Sequence, residues 1–482
     1  MAISFNAAGL LNGNGIDVNS VVNAILNQQA GPLSIWQNEQ TDLSTEAGLL
    51  SGLNNNLTNL AASVQSLADL NGPLASLSAT SSQPSILTAS AQTTAASGTH
   101  QIVVSSLATT GTIYTNPLTD GNTSFLPSGA NTGDITLQVG GSSGVTHDIT
   151  ITAGSNDTLN TLASYINAQD WGVSASVVTD ASGARLALYS QSSGTPGALA
   201  ITNNTTNLAF NAPVGGTNAS LTIDGVPYSS ATNTVTGAIS GVTLNLASAS
   251  PGTTVQITVG PDATQATAAI NSFVSAYNTL INNLNGQYIV NTGSNKQGLL
   301  APDSALRSLQ SSLLSDVTYS LTGNSGLVNL ASLGIDMNND GTLTVNQAST
   351  DAHPSLSNVL ATNPSAVQSF FHNVSGTGFA DRFKSDLTNL TDSTNGILNV
   401  DIAGNLAQQK ALGTQITNLQ DRLLAQQKLL NTLYSQVNAT LQAYPSLLAT
   451  VTAVIGALNG NYSTTSTTST NTTPATGTST TG

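Results

Sequence analysis

A chain of 482 residues exceeds what one hydrophobic core can organise, so two to four domains are expected. Charged residues make up only 6%, against roughly a quarter in an ordinary soluble protein, and Ser, Thr, Asn, Gln and Gly take their place. A formal charge of −15 with only 8 Lys and Arg argues against nucleic acid as a partner, and the absence of cysteine excludes disulfides, thiolate metal sites and cysteine nucleophiles.

The opening residues, MAISFNAAGLLNGNGIDVNS, have no basic n-region and no continuous apolar core, so they do not read as a cleavable secretory signal. No membrane span is expected either. The most apolar run, Leu447 to Leu458, is short and interrupted by Thr450, Thr452 and Gly456. Such signals alone suggest a cytoplasmic protein or one exported by a route that does not use them.

Val18, Val21, Val22, Ile25 and Leu26 predict a short amphipathic helix, with Asp17 or Asn19 as N-cap and a break at Gly31-Pro32. From Trp36 an apolar residue recurs every seven positions, at Leu43, Leu50, Leu57 and Val64, and a second seam joins at Leu53, Leu60 and Leu67. Earlier positions of that second seam hold Glu39 and Glu46, so pairing there is expected to be looser.

Between about 85 and 260 the period switches to two. Ile135/Leu137/Val139, Ile149/Ile151, Val173/Ala175/Val177, Leu186/Leu188, Leu221/Ile223, Val242/Leu244/Leu246 and Val255/Ile257/Val259 predict half-buried strands. Asp224-Gly225 is a hairpin signal. Leu159, Leu162, Ala163 and Ile166 mark one intervening helix, with Asn156 or Asp157 as its cap.

After Asp262 the heptad returns at Ala266, Ile270, Phe273, Tyr277, Leu280 and Leu284. Short helices follow at Leu306/Leu309/Leu313, Val367/Phe370/Phe371 and Phe379/Phe383/Leu387/Leu390. Ile402, Gln409, Ile416, Leu423, Leu430, Val437, Tyr444, Val451 and Leu458 then share one heptad position, with Leu412, Leu419, Leu433, Leu447 and Val454 on the complementary one. Unbroken, that helix would run roughly 85 Å, but Pro445 predicts a division. The Ser/Thr-rich tail from Asn461 is too polar to bury a core and is expected to be disordered.

The expected fold class is α+β multidomain. N- and C-terminal helices form a coiled-coil-like helical leg, residues near 57 against residues near 430, with β-rich head domains inserted between them. The leg seam comprises Trp36, Leu43, Leu50, Leu57, Val64, Ile416, Leu423, Leu430 and Val437. Val21, Ile25, Val451 and Ile455 lie beyond the most clearly paired segments and are the candidate contacts for another subunit or a filament protein.

No catalytic, cofactor or metal site is expected. The four histidines, His100, His147, His353 and His372, show no helix-face spacing with another ligand. Asp336, Asn338, Asp340 and Gly341 imitate half of an EF-hand loop, but the twelfth position is Gln347, which cannot supply the bidentate carboxylate. An Asp-Gly turn between strands at Gly334–Met337 and Thr342–Val345 accounts better for that segment.

Several segments resemble the flagellar filament cap family, also called hook-associated protein 2. GIDVNSVVNAIL at 15–26 is similar to its N-terminal signature, and SATSSQPSILTASA with GTHQIVVSSLA to its first β-segment. DTLNTLASYINAQDWGVSASVV and ARLALYSQSSG resemble a repeat shared with the outer domains of flagellin. ATAAINSFVSAYNTLINNLN, LLAPDSALRSLQSSL, LASLGIDMNNDGTLTV, ATNPSAVQSFF and TDSTNGILNVDIAG follow in the family's order.

The resemblance implies a non-enzymatic assembly factor at the distal tip of the filament, secreted through the flagellar type III route. Its implied partners are sister copies in a ring (a pentamer), flagellin, the hook–filament junction proteins and an export chaperone. The expected layout is then 1–35 as a partly disordered export and assembly segment and 36–80 as one half of the leg. A head follows at 81–260, built of two domains, one inserted in the other, with a flagellin-type repeat around 131–204. The second half of the leg, with a small hairpin, takes 261–440, an assembly helix 441–460 and the tail 461–482. A surface adhesin, possessing a neutral head that binds glycans as a main or secondary role, and a flagellin-like filament protein are the alternatives.

Overall fold

A computed structural model describes residues 17–289, 298–350 and 353–460, the side chains of 458–460 excepted. The first 16 residues of the expected export segment and the tail 461–482 lie outside the described residues. The chain divides into two compact units. One gathers both ends, Met1–Asn54 and Ser393–Gly482, together with Val290–Ala305, and the other holds Asn55–Ile289 and Leu306–Asp392.

Helix α1 (Val18–Gln29) starts where Asp17 accepts a hydrogen bond from the Ser20 amide at 3.2 Å, and it stops at Ala30. α2 (Gly31–Leu67) restarts with Pro32 in its first turn, where the missing N–H costs nothing. The strands follow as β1 (Leu77–Ser81), β2 (Leu87–Ala91), β3 (Gly98–Ser106), β4 (Thr110–Tyr114), β5 (Thr132–Val139) and β6 (Val145–Thr152). After α3 (Leu159–Asn167) come β7 (Val173–Asp180), β8 (Gly183–Ser193), β9 (Leu199–Asn204), β10 (Ala219–Ile223), β11 (Val226–Ser230), β12 (Thr234–Ile239), β13 (Val242–Leu246) and β14 (Val255–Pro261). α4 (Ala263–Tyr288), α5 (Ser304–Val317), the hairpin β15 (Ile335–Met337) and β16 (Leu343–Val345), α6 (Leu356–Thr362), α7 (Pro364–Phe371), α8 (Phe379–Leu390) and α9 (Ile397–Gly460) complete the order.

In the larger unit, a five-stranded antiparallel sheet ordered β1-β14-β3-β10-β11 and a three-stranded sheet β12-β13-β2 share one core, which includes Ile102, Val104, Leu221, Leu244 and Ile257. The chain from β4 to β9 is inserted between β3 and β10. It forms the sheets β4-β8-β7 and β6-β5-β9 around a second core with Ile113, Leu137, Ile151, Leu162 and Leu188. Every strand that the alternation predicts forms. Asp224 (φ 52°) and Gly225 (φ 82°) make the two-residue turn joining β10 to β11, a left-handed pair that favours glycine in second place. α3 is capped by Thr158, not by Asn156 or Asp157. Its backbone is extended, and Thr161 stands three residues on to complete a reciprocal capping box.

The same unit contains α4, the hairpin and α6 to α8. Ala266, Ile270, Phe273, Tyr277, Leu280 and Leu284 are all buried, as their steps of three and four require. Phe379 is the centre of an aromatic cluster with Phe273, Phe370, Phe371 and Phe383, at centroid distances of 5.5 to 5.7 Å.

In the smaller unit, α1 packs on α9, and α9 runs unbroken through Pro445. The expected division does not occur because the proline sits on an exposed turn, where water can solvate the carbonyl left without its N–H donor. Length and composition would also let α9 cross a membrane. The chain has no charge after Lys428, and its most apolar run is still interrupted by Thr450, Thr452 and Gly456.

Candidate assembly surface

The pairing of chain ends is visible residue by residue. The Asn405 Nδ2 of α9 donates to the Glu46 Oε2 of α2 at 3.0 Å. Gln409 Nε2 donates to Asn405 Oδ1 at 2.6 Å and to the Leu43 carbonyl at 3.1 Å. The two helices therefore run antiparallel, 43 beside 409 and 46 beside 405. The pairing observed within the smaller unit is thus of residues 43–46 with residues 405–409.

Asn405 is 7% exposed and stands seven residues before Leu412, on the complementary seam. A polar residue at such a position fixes register, since any slip leaves its amide unpaired. Sequence reasoning noted Glu46 only as a loose spot and missed Asn405, although its place in the heptad was a usable signal.

Glu46 lies in a cleft of about 500 Å³ with Asp303, Asp401, Leu300 and Val400. Burial, then the negative charges of Asp303 and Asp42, raise its pKa above the ordinary glutamate value against the opposing bond from Asn405. Asp401 is raised for the same reasons, burial first and then Asp303. Among the described residues no cluster of His, Cys, Asp or Glu is arranged to hold a metal ion.

The expected leg seam divides on inspection. Leu50, Leu57, Val64 and Ile416 are buried, Trp36, Leu43, Leu423 and Leu430 are half-buried, and Val437 is 39% exposed. Beyond Leu430 the half-buried positions are Asn431, Tyr434, Asn438 and Leu441, spaced by three and four, so the stripe there runs beside Val437 rather than through it.

Of the candidate subunit contacts, Val21 and Ile25 are half-buried on α1, whose fully buried residue is its neighbour Val22. Val451 and Ile455 are 52% and 53% exposed. With Tyr444, Leu447, Leu448 and Val454, also exposed, they form an apolar stripe along the last turns of α9.

The histidines have structural partners that their spacing did not reveal. His100 meets Asp224 at 2.8 Å, His353 meets Asp336 at 3.0 Å and His372 meets Asp381 at 2.6 Å. His147 stacks on Trp171 at 4.6 Å. In the EF-hand look-alike, Asp340 Oδ1 accepts from both the amide and the hydroxyl of Thr342, which spends the carboxylate on the turn.

Family models of the flagellar hook-associated protein 2 N-terminus and C-terminus match residues 14–111 and 216–446, and one of the flagellin hook IN motif matches 134–192. The B-type flagellar hook-associated protein 2 of Pseudomonas aeruginosa is 31% identical over 71% of this chain and 77% of its own length. The lateral flagellar hook-associated protein 2 of Vibrio parahaemolyticus is 27% identical over 55% of this chain and 62% of its own. The D1-D2-D3 domains of the flagellar cap protein FliD from Escherichia coli superpose with a TM-score of 0.56 at 26% identity, over 74% of this chain and 99% of that one. The helical ends, the inserted β-domains and these matches agree, and the chain belongs to the flagellar hook-associated protein 2 family, whose members are structural proteins of the flagellum and not enzymes.

Proposed function

We propose that this protein caps the growing distal end of a flagellar filament as a ring of sister copies. It holds each exported flagellin there until that subunit folds into the lattice. The observation that carries this reading is the apolar stripe Tyr444–Ile455, which stays exposed on α9, the helix that Glu46 of α2 hydrogen-bonds at Asn405. Such a stripe is stable in water only when something covers it, and a second subunit at the filament tip is the cover proposed. A pentameric ring, first seating on the hook–filament junction proteins and delivery by an export chaperone through the flagellar type III route belong to the same proposal.

The low charge supports a moving cap. A cap that shifts with each inserted flagellin needs many weak contacts, and contacts between neutral groups keep their strength as ionic strength changes. The test is a strain lacking the protein. It should shed monomeric flagellin into the medium and carry short filaments or none, and the wild-type gene should restore both. Filaments of ordinary length in the deletion strain would refute the proposal.

A further inference from the structure

The chain from β4 to β9 is joined to its parent sheet by a two-stranded antiparallel ribbon. Ser106 pairs with Ser220, Thr109 with Thr217 and Thr112 with Val214, so the entering and leaving strands keep one register across the junction. The Thr109 amide donates to the Thr217 carbonyl at 2.9 Å, and Thr112 and Val214 exchange backbone bonds of 2.8 and 2.9 Å. A ribbon of two strands is soft on its own, and domains joined by so little chain ordinarily move against each other.

A third strut crosses this junction from the end of β8. Ser193 Oγ donates to the Ala231 carbonyl at 2.7 Å. The Thr195 amide and hydroxyl both donate to Asn218 Oδ1, at 2.8 and 2.9 Å, and Asn218 Nδ2 donates in turn to Ser229 Oγ of β11 at 3.1 Å. Both lone pairs of the Asn218 side-chain carbonyl are thereby used. Between Ser193 and Thr195, the Gly194 amide donates to the Thr109 carbonyl at 3.0 Å. Its φ of 72°, and a Cβ position only 2.5 Å from the Ala231 carbonyl oxygen, leave no room for a side chain there.

We propose that Ser193–Thr195 is a clasp that turns this ribbon hinge into a rigid joint, so that the two β-domains swing as one body whatever they contact. The sheet order β3-β10-β11 sets Ser229 and the adjoining Ala231 one strand, about 4.8 Å, to the side of the ribbon. A support displaced from the hinge line resists bending that the bonds within the ribbon do not oppose. β8 then acts as the lever. Val178 pairs with Arg185 on that strand, about 26 Å from Ser193 at about 3.3 Å per residue. Without the clasp, a swing of about 20° at the joint would carry Val178 through roughly 9 Å over that length.

The chain has no cysteine, so spin labels on V178C and T236C report only these sites. Both positions are exposed, the first on the inserted domain and the second on β12 of its parent. Double electron–electron resonance on the full chain should return a single narrow distance distribution. S193A/N218A, which removes the strut without adding bulk, should broaden that distribution by roughly 9 Å. Gly194→Val, which wedges a side chain against Ala231, should broaden it likewise. Should one of these variants lose its strand signal in circular dichroism, the other decides. A distribution already broad with the clasp intact, or one left narrow in a folded variant, would overturn the proposal.

Discussion

Glu46 and Asn405 are separated by 359 positions and meet at 3.0 Å, a hydrogen bond that joins the two ends of this chain. Asn405→Ala should strip Glu46 of a partner and Gln409 of an acceptor. The expected cost is about 1–3 kcal/mol, read as a lower urea midpoint and faster exchange in α9. Glu46→Gln should act oppositely at neutral pH. Because the folded glutamate is raised above 4.5, wild type has its full contribution below that value and loses it as pH rises through the folded one. The glutamine does not titrate, so the difference between the two proteins should grow from pH 4 towards neutrality and vanish in acid.

Phe379 is 1% exposed and touches four other phenylalanine rings. Phe379→Ala should cost about 3–5 kcal/mol, the usual penalty for removing a buried ring and leaving a cavity. Thermal unfolding followed by circular dichroism checks it. Phe379→Leu, which refills most of the volume, should recover part of the loss.

Local signals made most elements legible, whereas choices among distant partners did not show in the sequence. The steps from Ala266 to Leu284 and the alternation from Ile135 to Val259 depend on helix and strand geometry alone, and both are realised. The cap of α3 was misread because Asn156, Asp157 and Thr158 are all competent residue types. The selection follows from the extended backbone of Thr158 and from Thr161 three places on. Val437 is exposed because the half-buried stripe past Leu430 runs through Asn431, Tyr434, Asn438 and Leu441 instead. Asn405 with Glu46 is a contact between separate helices that no periodicity encodes.

Val451 and Ile455 are half exposed, so replacing both with Asn should leave the melting behaviour of the isolated chain almost unchanged, within about 0.5 kcal/mol for each surface site. If the stripe is covered by a sister copy, losing each buried side chain should weaken self-association by about 1.5–3 kcal/mol, tenfold or more. Sedimentation velocity over a concentration series measures this. Ala449→Asn, on the other side of the helix and exposed, is the control and should leave association intact. Unchanged association in the double variant would show that the stripe serves something other than sister copies.

Pro445 lies inside α9 without ending it. Its ring denies the Leu441 carbonyl an N–H partner and crowds the preceding turn, a penalty of about 3 kcal/mol relative to alanine in a helix interior. The helix continues because the turn is exposed and the bonds on either side are kept, but this is where α9 should open first. Pro445→Ala should therefore slow amide exchange across residues 441–449 by one to two orders of magnitude, about half or more of that penalty. Exchange around Gln409 and Leu412, several turns away, should be unaffected. A proline retained within an otherwise continuous helix then reads as a built-in point of compliance. If the alanine variant exchanged at the wild-type rate, the proline would carry no local cost and the compliance would have to be sought elsewhere along α9.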